Sequence, residues 1–166
     1  MRIAVFFAWL AVMALYALSW PLLPALVGDP GKEMPKLGFV LLMMGACSIT
    51  VLSMTTLTDW IARRAPGLLN IPNRHYWLAP ERREASLHKL HHELHLMGLL
   101  LMLLFAGIDL YALARAHLRG PIAEPGLWIG ATVVWGIALL VLVMRQQRAF
   151  ALPEPDAPAA TARRRR

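Results

Sequence analysis

The sequence predicts an all-α integral membrane protein, a four-helix bundle with an amphipathic cytoplasmic extension of its third helix. The chain has 166 residues, of which 58% are hydrophobic, and its mean hydropathy is +0.51, far above a soluble composition. Four apolar stretches are each long enough to cross a hydrocarbon core of about 30 Å as a helix. A polar, basic, histidine-rich insert, residues 59–95, separates the second stretch from the third.

The predicted spans are residues 3–23, 37–57, 96–116 and 127–144. The first ends at Trp20 and Pro21, because tryptophan favours the headgroup level and proline cannot continue the hydrogen-bond ladder of a helix. A short loop follows, in which Asp29-Pro30-Gly31 is typical turn chemistry. Residues 1–150 are therefore expected to form one membrane domain.

Polar side chains in the second span fall on one helical face. At 100° per residue, Ser48, Thr55 and Asp59 align, and this face is expected to look into the bundle. Asp59 stands where the span leaves the apolar core. It is predicted to form an ion pair with Arg63 or Arg64.

The distribution of basic residues predicts the orientation. Positive loops resist translocation, so the side of the membrane that holds more lysine and arginine is cytoplasmic. The two termini and the insert hold thirteen of the 17 basic residues: Arg2, Arg63, Arg64, Arg74, Arg82, Arg83, Lys89, Arg145, Arg148 and Arg163 to Arg166. The other two loops hold four. We therefore expect a bacterial inner-membrane protein with both termini and the insert in the cytoplasm.

A helix is predicted to begin within the insert. Pro80 suits the first helical position, and Glu81 and Glu84 would lie in the first turn, near the positive end of the helix dipole. This helix is expected to run through His95 into the third span without a break.

Part of the insert resembles a known pattern. The stretch NIPNRHYWLAPERRE, residues 70–84, resembles the NxPNxxYWLxPERR signature of a family of uncharacterised bacterial membrane proteins, which is similar to the membrane immunity proteins against sporulation-delaying toxin. The resemblance covers residues 10–145 and implies four spans, but no catalytic residue. The loop at residues 27–36 departs from the family pattern, since it has no histidine or asparagine. The signature residues are Asn70, Pro72, Asn73, Tyr76, Trp77, Pro80, Glu81, Arg82 and Arg83.

Six side chains able to bind metal share one face of the predicted insert helix. They are Glu81, Glu84, His88, His91, His92 and His95. Histidine pairs three or four positions apart can bind one divalent ion, and a histidine-held haem iron is a second reading of the same four histidines. The alternative is an ordinary solvated face, because Leu87, Leu90 and Leu94 lie opposite.

Asp109 is the ionisable residue deepest in a predicted span, which makes it a candidate for a proton or ion pathway. The alternative is a structural contact with Arg115, with His117 or with hydroxyls of the second span. Trp128 and Trp135 lie a heptad apart on the fourth span, where they would line a partner surface or pack within the bundle.

These patterns favour a non-enzymatic protein. The basic residues are confined to short segments and do not form the broad basic surface typical of a nucleic-acid-binding protein. The single cysteine, Cys47, excludes an intrachain disulfide. The expected function is an accessory or assembly subunit acting through helix contacts, or an immunity-like protector. Its expected partners are other membrane proteins and anionic lipid headgroups. Residues 151–166, rich in Ala and Pro and ending in four arginines, are expected to be disordered.

Overall fold

The computed structural model describes residues 2–69, 71–118 and 124–152. Four helical stretches in it are long and apolar enough to cross a membrane: Arg2–Ser19, Lys36–Arg64, Arg83–His117 and Pro125–Ala149. Each contains or largely covers one predicted span. The all-α fold class is confirmed, and the chain is a membrane protein. The predicted loop residues 119–121 and the arginine tail lie outside the described residues.

The first helix, α1, spans Arg2–Ser19 and ends just before Trp20 and Pro21, four residues before the end of the predicted span 3–23. The following loop, predicted as a turn without strands, contains a short hairpin. Leu26–Val27 (β1) pairs antiparallel with Met34–Pro35 (β2). Gly28, with φ 134°, makes this hairpin turn compact: a Cβ there would lie 2.9 Å from the Lys32 carbonyl oxygen. We call this the hairpin end of the bundle.

The second span consists of α2 (Lys36–Leu52), a π-helical turn (Ser53–Leu57) and α3 (Thr58–Arg64). The serine and threonine hydroxyls explain the change of helix type. Thr55 Oγ1 donates to the Val51 carbonyl at 2.6 Å, and Thr58 Oγ1 donates to the Ser53 carbonyl at 2.8 Å. Side-chain bonds of this kind compete with the regular ladder and bend helices. Thr55 thus bonds its own helix, while Ser48 accepts from Trp9 Nε1 of α1 at 3.2 Å.

The insert folds into a short 3₁₀ turn (Pro66–Leu68), the one-turn helix α4 (Arg74–Trp77) and then the long helix α5 (Arg83–His117). The predicted continuity of α5 through His95 is confirmed. Its predicted start at Pro80 is wrong, because residues 80–82 form a turn in which the Arg82 amide bonds to the Ala79 carbonyl at 3.0 Å. Glu84, but not Glu81, lies in the first turn.

Helix α5 is the centre of the bundle and contacts α1, α2 and α6 (Pro125–Ala149). The core lies between α1, α2 and α5, around Tyr16, Phe39, Cys47 and Met102. Hydrogen bonds also join the helices: Tyr16 donates through its hydroxyl to the Phe105 carbonyl at 2.9 Å. Helix α6 lies to one side, and no residue within it is buried in the described part of the chain.

Candidate functional site

The polar residues at the opposite end of the bundle from the hairpin, which we call the insert end, tie all four spans together. Asp59, at the start of α3, contacts Arg2 of α1 through one carboxylate oxygen. Its other oxygen lies 2.6 Å from Nε2 of His91 on α5. This close contact is an ion pair when the imidazole is protonated, but the two atoms are not aligned as a hydrogen bond.

The predicted pairing of Asp59 with Arg63 or Arg64 is wrong. Asp59 faces α1 and α5, whereas both arginines are exposed in the last turn of α3. The spacing of residues along one helix shows which of its own side chains could reach a carboxylate. It does not show which side chains of a neighbouring helix bind that carboxylate instead. The competitor here is Arg2, which is distant in the sequence.

The histidine face is divided by the packing of α5. His95 is buried and His91 half-buried, whereas His88 and His92 are exposed. The ring centroids of His91 and His95 are 6.3 Å apart, and Nε2 of each is buried with no hydrogen-bond partner among the described residues. Among the described residues, no three His, Cys, Asp or Glu side chains are grouped to hold a metal ion. The solvated-face reading is also wrong for His91 and His95, because α1 and the end of the second span cover this side.

An ion pair that the sequence analysis missed joins α5 to α6. Arg145 donates to one oxygen of Glu93 through Nε at 3.0 Å and through Nη2 at 2.8 Å. Glu93 is buried, and a buried carboxylate needs a paired, hydrogen-bonded partner, which Arg145 supplies. The available signal was a lone glutamate among histidines and leucines just before a span, but spacing within α5 does not reveal its partner on α6.

Two signature residues hold the end of α6. Trp77 Nε1 donates to the Phe150 carbonyl at 2.8 Å, and Asn73 Nδ2 donates to the same oxygen at 3.3 Å. Lys89 Nζ donates to the adjacent Ala149 carbonyl. These oxygens lie at the negative end of the helix dipole and have no partner within the helix, so the three donors form a cap. We call Asn73, Trp77 and Lys89 the C-terminal clamp.

Aromatic packing completes the clamp. The Phe150 ring is fully buried, with its centroid 5.6 Å from that of Trp77 at an interplanar angle of 83°, and Ile71 and Leu90 pack beside it. Lys89 Nζ lies 5.0 Å from the centre of the Trp77 ring, a cation–π contact. Asn73 has φ 53°, a left-handed conformation that asparagine tolerates better than most residues.

The other described signature residues stabilise the insert itself. The Arg82 guanidinium stacks 4.3 Å from the centre of the Tyr76 ring, and Arg83 donates to the Ala62 carbonyl near the end of α3. Pro80 and Glu81 lie in the turn before α5, and Pro72 lies in the turn before α4. Asn70 lies outside the described residues. Trp77 differs from its neighbour Tyr76, because its side chain faces inward to the end of α6.

Asp109 is fully buried between α5 and α1. Its Oδ1 lies 3.1 Å from Ser19 Oγ, within hydrogen-bond distance, and its Oδ2 has no hydrogen-bond partner among the described residues. The predicted partners are wrong: Arg115 pairs with Asp29 of the hairpin loop, and His117 contacts the Leu22 carbonyl. Arg115 and His117 lie more than one helical turn beyond Asp109 along α5, and both bond to groups at the hairpin end instead.

A groove of about 390 Å³ runs between α5 and α6. Gly107 lies along it where no side chain fills the space, and its walls include Trp128 and Trp135. Trp135 Nε1 donates to the Leu100 carbonyl at 2.7 Å, and the Trp128 ring stacks 5.2 Å from that of Tyr111. Both tryptophans thus pack α6 onto α5, which is the second of the two predicted roles.

Comparison with protein-family models, with curated proteins and with solved structures finds no match to this chain. The resemblance based on the signature stays a prediction.

Proposed function

We propose that this protein is a non-enzymatic accessory or assembly subunit of a bacterial inner membrane, acting by contact between its helices and those of another membrane protein. The fourth span supplies the contact surface. An immunity-like protector, as the signature resemblance implies, would use the same surface to bind the molecule against which it protects.

The outward line of α6 is the observation that carries this proposal. Gly126, Gly130, Val134, Ile137 and Val141 follow one another on the face turned away from α5, and all are exposed. A Cβ built at Gly126 or Gly130 meets no described atom within 4 Å, so neither glycine is needed for close packing against the described part of the chain.

Glycine lowers helix stability by about 1 kcal/mol relative to alanine and adds no apolar surface toward lipid. Two glycines four positions apart instead allow a second helix backbone to approach closely, which stabilises helix pairs in membranes through packing. The clamp and the pair Glu93 and Arg145 fix the position of α6 at the insert end. A rigid, small-residue surface is what lateral recognition by an apolar transmembrane helix requires.

The charge distribution supports the inner-membrane orientation. Basic residues are concentrated at the insert end, so this end and both termini are proposed to be cytoplasmic. Bonds between α1, α2 and α5 occupy the polar groups of Trp9, Tyr16 and Ser19. Such use of polar groups fits a scaffold better than a transport path.

Photocrosslinking in native membranes tests the proposal. A photoreactive amino acid at Val134 is expected to give a discrete protein adduct, and Gly130→Leu is expected to remove most of it by blocking close approach. The control places the same probe at Leu41 on another helix, α2, where the side chain is 61% exposed. Equal adducts at both positions, or a Val134 adduct that Gly130→Leu leaves unchanged, would refute the contact.

A further inference from the structure

We infer that the exposed basic surface of the insert binds the headgroups of anionic phospholipids. This surface, which we call the basic surface, comprises Trp60, Arg63, Arg64, Leu68, Arg74 and Arg82. The inference is independent of the partner proposed for α6.

The basic surface lies at headgroup depth. The apolar part of the second span ends near Leu57, and at 1.5 Å per residue Trp60 and Arg63 lie about 5 and 9 Å beyond it. The headgroup region adds several ångströms to each side of the hydrocarbon core. Trp60 is 55% exposed and Leu68 is 73% exposed, so apolar groups accompany the charges at this level.

No described acidic side chain forms an ion pair with the arginines of this surface. Asp59 is occupied by Arg2 and His91, and Glu93 is occupied by Arg145. None of the four arginines of the basic surface forms an ion pair with another described residue. Between residues 60 and 89 there are six lysines and arginines but two acidic residues, Glu81 and Glu84.

Two of the guanidinium groups are held in position. Arg74 Nη1 donates to the Gly67 carbonyl at 2.6 Å, and Arg82 stacks on Tyr76. Each guanidinium has five N–H donors, more than these contacts use, and its fork geometry matches the paired oxygens of a phosphate. Holding the side chain in place lowers the entropy lost when a ligand binds.

The surrounding apolar surface favours a lipid over a free anion. Leu52 and Leu57 are exposed on the same span directly below the arginines. A ligand at the basic surface would therefore have the acyl region of the bilayer beside its phosphate. Anionic phospholipid combines both features, and each basic residue near such a membrane adds binding energy.

Native mass spectrometry of the purified, delipidated full chain in neutral detergent tests this inference. Phosphatidylglycerol and phosphatidylcholine with identical acyl chains are titrated separately. We expect tighter binding of phosphatidylglycerol, weakened roughly fivefold for each arginine removed in Arg63→Gln/Arg64→Gln. Phosphatidylcholine binding is expected to stay unchanged.

Two comparisons separate charge from fold. Arg63→Lys/Arg64→Lys keeps the charge and is expected to retain most of the phosphatidylglycerol binding, whereas Lys32→Gln at the hairpin end is expected to retain all of it. Equal binding of both lipids, or equal loss in the lysine and glutamine variants, would overturn the inference. So would displacement of phosphatidylglycerol by inorganic phosphate at an equal concentration, which would identify a free-anion site.

Discussion

Ser19 has one hydroxyl proton but two acceptors within reach, the Tyr16 carbonyl and Oδ1 of Asp109, each at 3.1 Å. A serine proton can serve one of them at a time. If Asp109 carries a proton, it donates to Ser19 Oγ while Ser19 donates to Tyr16, and both bonds form. Leaving a buried polar group unpaired costs about 1–3 kcal/mol, so this arrangement is the favourable one. Asp109 is thus best explained as a donor that joins α5 to α1.

Replacing Asp109 tests that role. Asp109→Asn keeps a donor of the same shape and is expected to change the unfolding temperature little. Asp109→Ala removes the bond and leaves a gap, which we expect to lower the free energy of unfolding by about 1–3 kcal/mol. Thermal unfolding in detergent measures both, with Glu33→Ala on the exposed hairpin loop as the control. If Asp109→Asn is as harmful as Asp109→Ala, the donor role is wrong.

The same asparagine variant tests the proton-carrier alternative. A carrier that uses the Asp109 carboxyl loses proton flux through liposomes when the carboxyl becomes an amide, because an amide does not titrate. A structural donor predicts no difference between the two proteins. The experiment needs the variant to fold, which the unfolding measurement establishes first.

Whole helices were predictable from the sequence, whereas pairings between helices were not. Apolar length and the Trp20-Pro21 boundary gave the spans, since hydrophobicity and proline act locally. Asp59 was assigned partners on its own helix, and Asp109 was assigned either partners on its own helix or hydroxyls of the second span. Their partners, Arg2 and Ser19, come from α1, and helical periodicity contains no information on which helix lies alongside.

The insert shows the same limit at the scale of one element. Adjacent tyrosine and tryptophan residues such as Tyr76 and Trp77 commonly lie at the headgroup level, and the sequence by itself suggests no other role. The structure uses Trp77 to cap α6 across more than seventy residues of sequence. Asn73 and Trp77 of the signature thus connect the insert to α6. Their role as hydrogen-bond donors can be recognised only when the position of α6 beside the insert is known.

Weakening the C-terminal clamp is expected to loosen the end of α6. Trp77→Phe keeps the aromatic ring but removes the indole N–H, a bond worth about 1 kcal/mol. We therefore expect local opening to become roughly fivefold more frequent, measured as faster tryptic cleavage after Arg148. Trp60→Phe, at an exposed tryptophan, is the matched control and should not alter the rate. Unchanged cleavage in Trp77→Phe would show that the ring alone holds the helix end.

Across the whole molecule, charged groups gather at two levels separated by apolar helix. At the insert end Arg2, Asp59 and His91 link three of the spans, and Glu93 with Arg145 links the fourth. At the hairpin end, ion pairing is represented by Arg115 and Asp29. This division follows the cost of placing charge in hydrocarbon, which confines most ionised groups to the two surfaces. The larger basic excess at the insert end predicts that this end is cytoplasmic.

Cysteine labelling tests this orientation with little background. The chain has one cysteine, Cys47, and it is fully buried, so the unmodified protein is expected to resist a membrane-impermeant maleimide. Leu68→Cys places a thiol on the exposed insert, and Lys32→Cys places one on the hairpin loop. In intact spheroplasts we expect labelling of the Lys32→Cys variant alone. Permeabilisation should add the Leu68→Cys variant, because the insert then becomes accessible.

The opposite pattern would place the insert outside the cell, and the basic surface would then face the wrong leaflet for the proposed orientation. Labelling of both variants in intact spheroplasts would put the two loops on one side, which one crossing by the stretch Lys36–Arg64 does not allow. The length of that helix, 29 residues, is more than the 20 or so that a bilayer requires. The labelling therefore tests the number of crossings and the direction of the charge rule in one experiment.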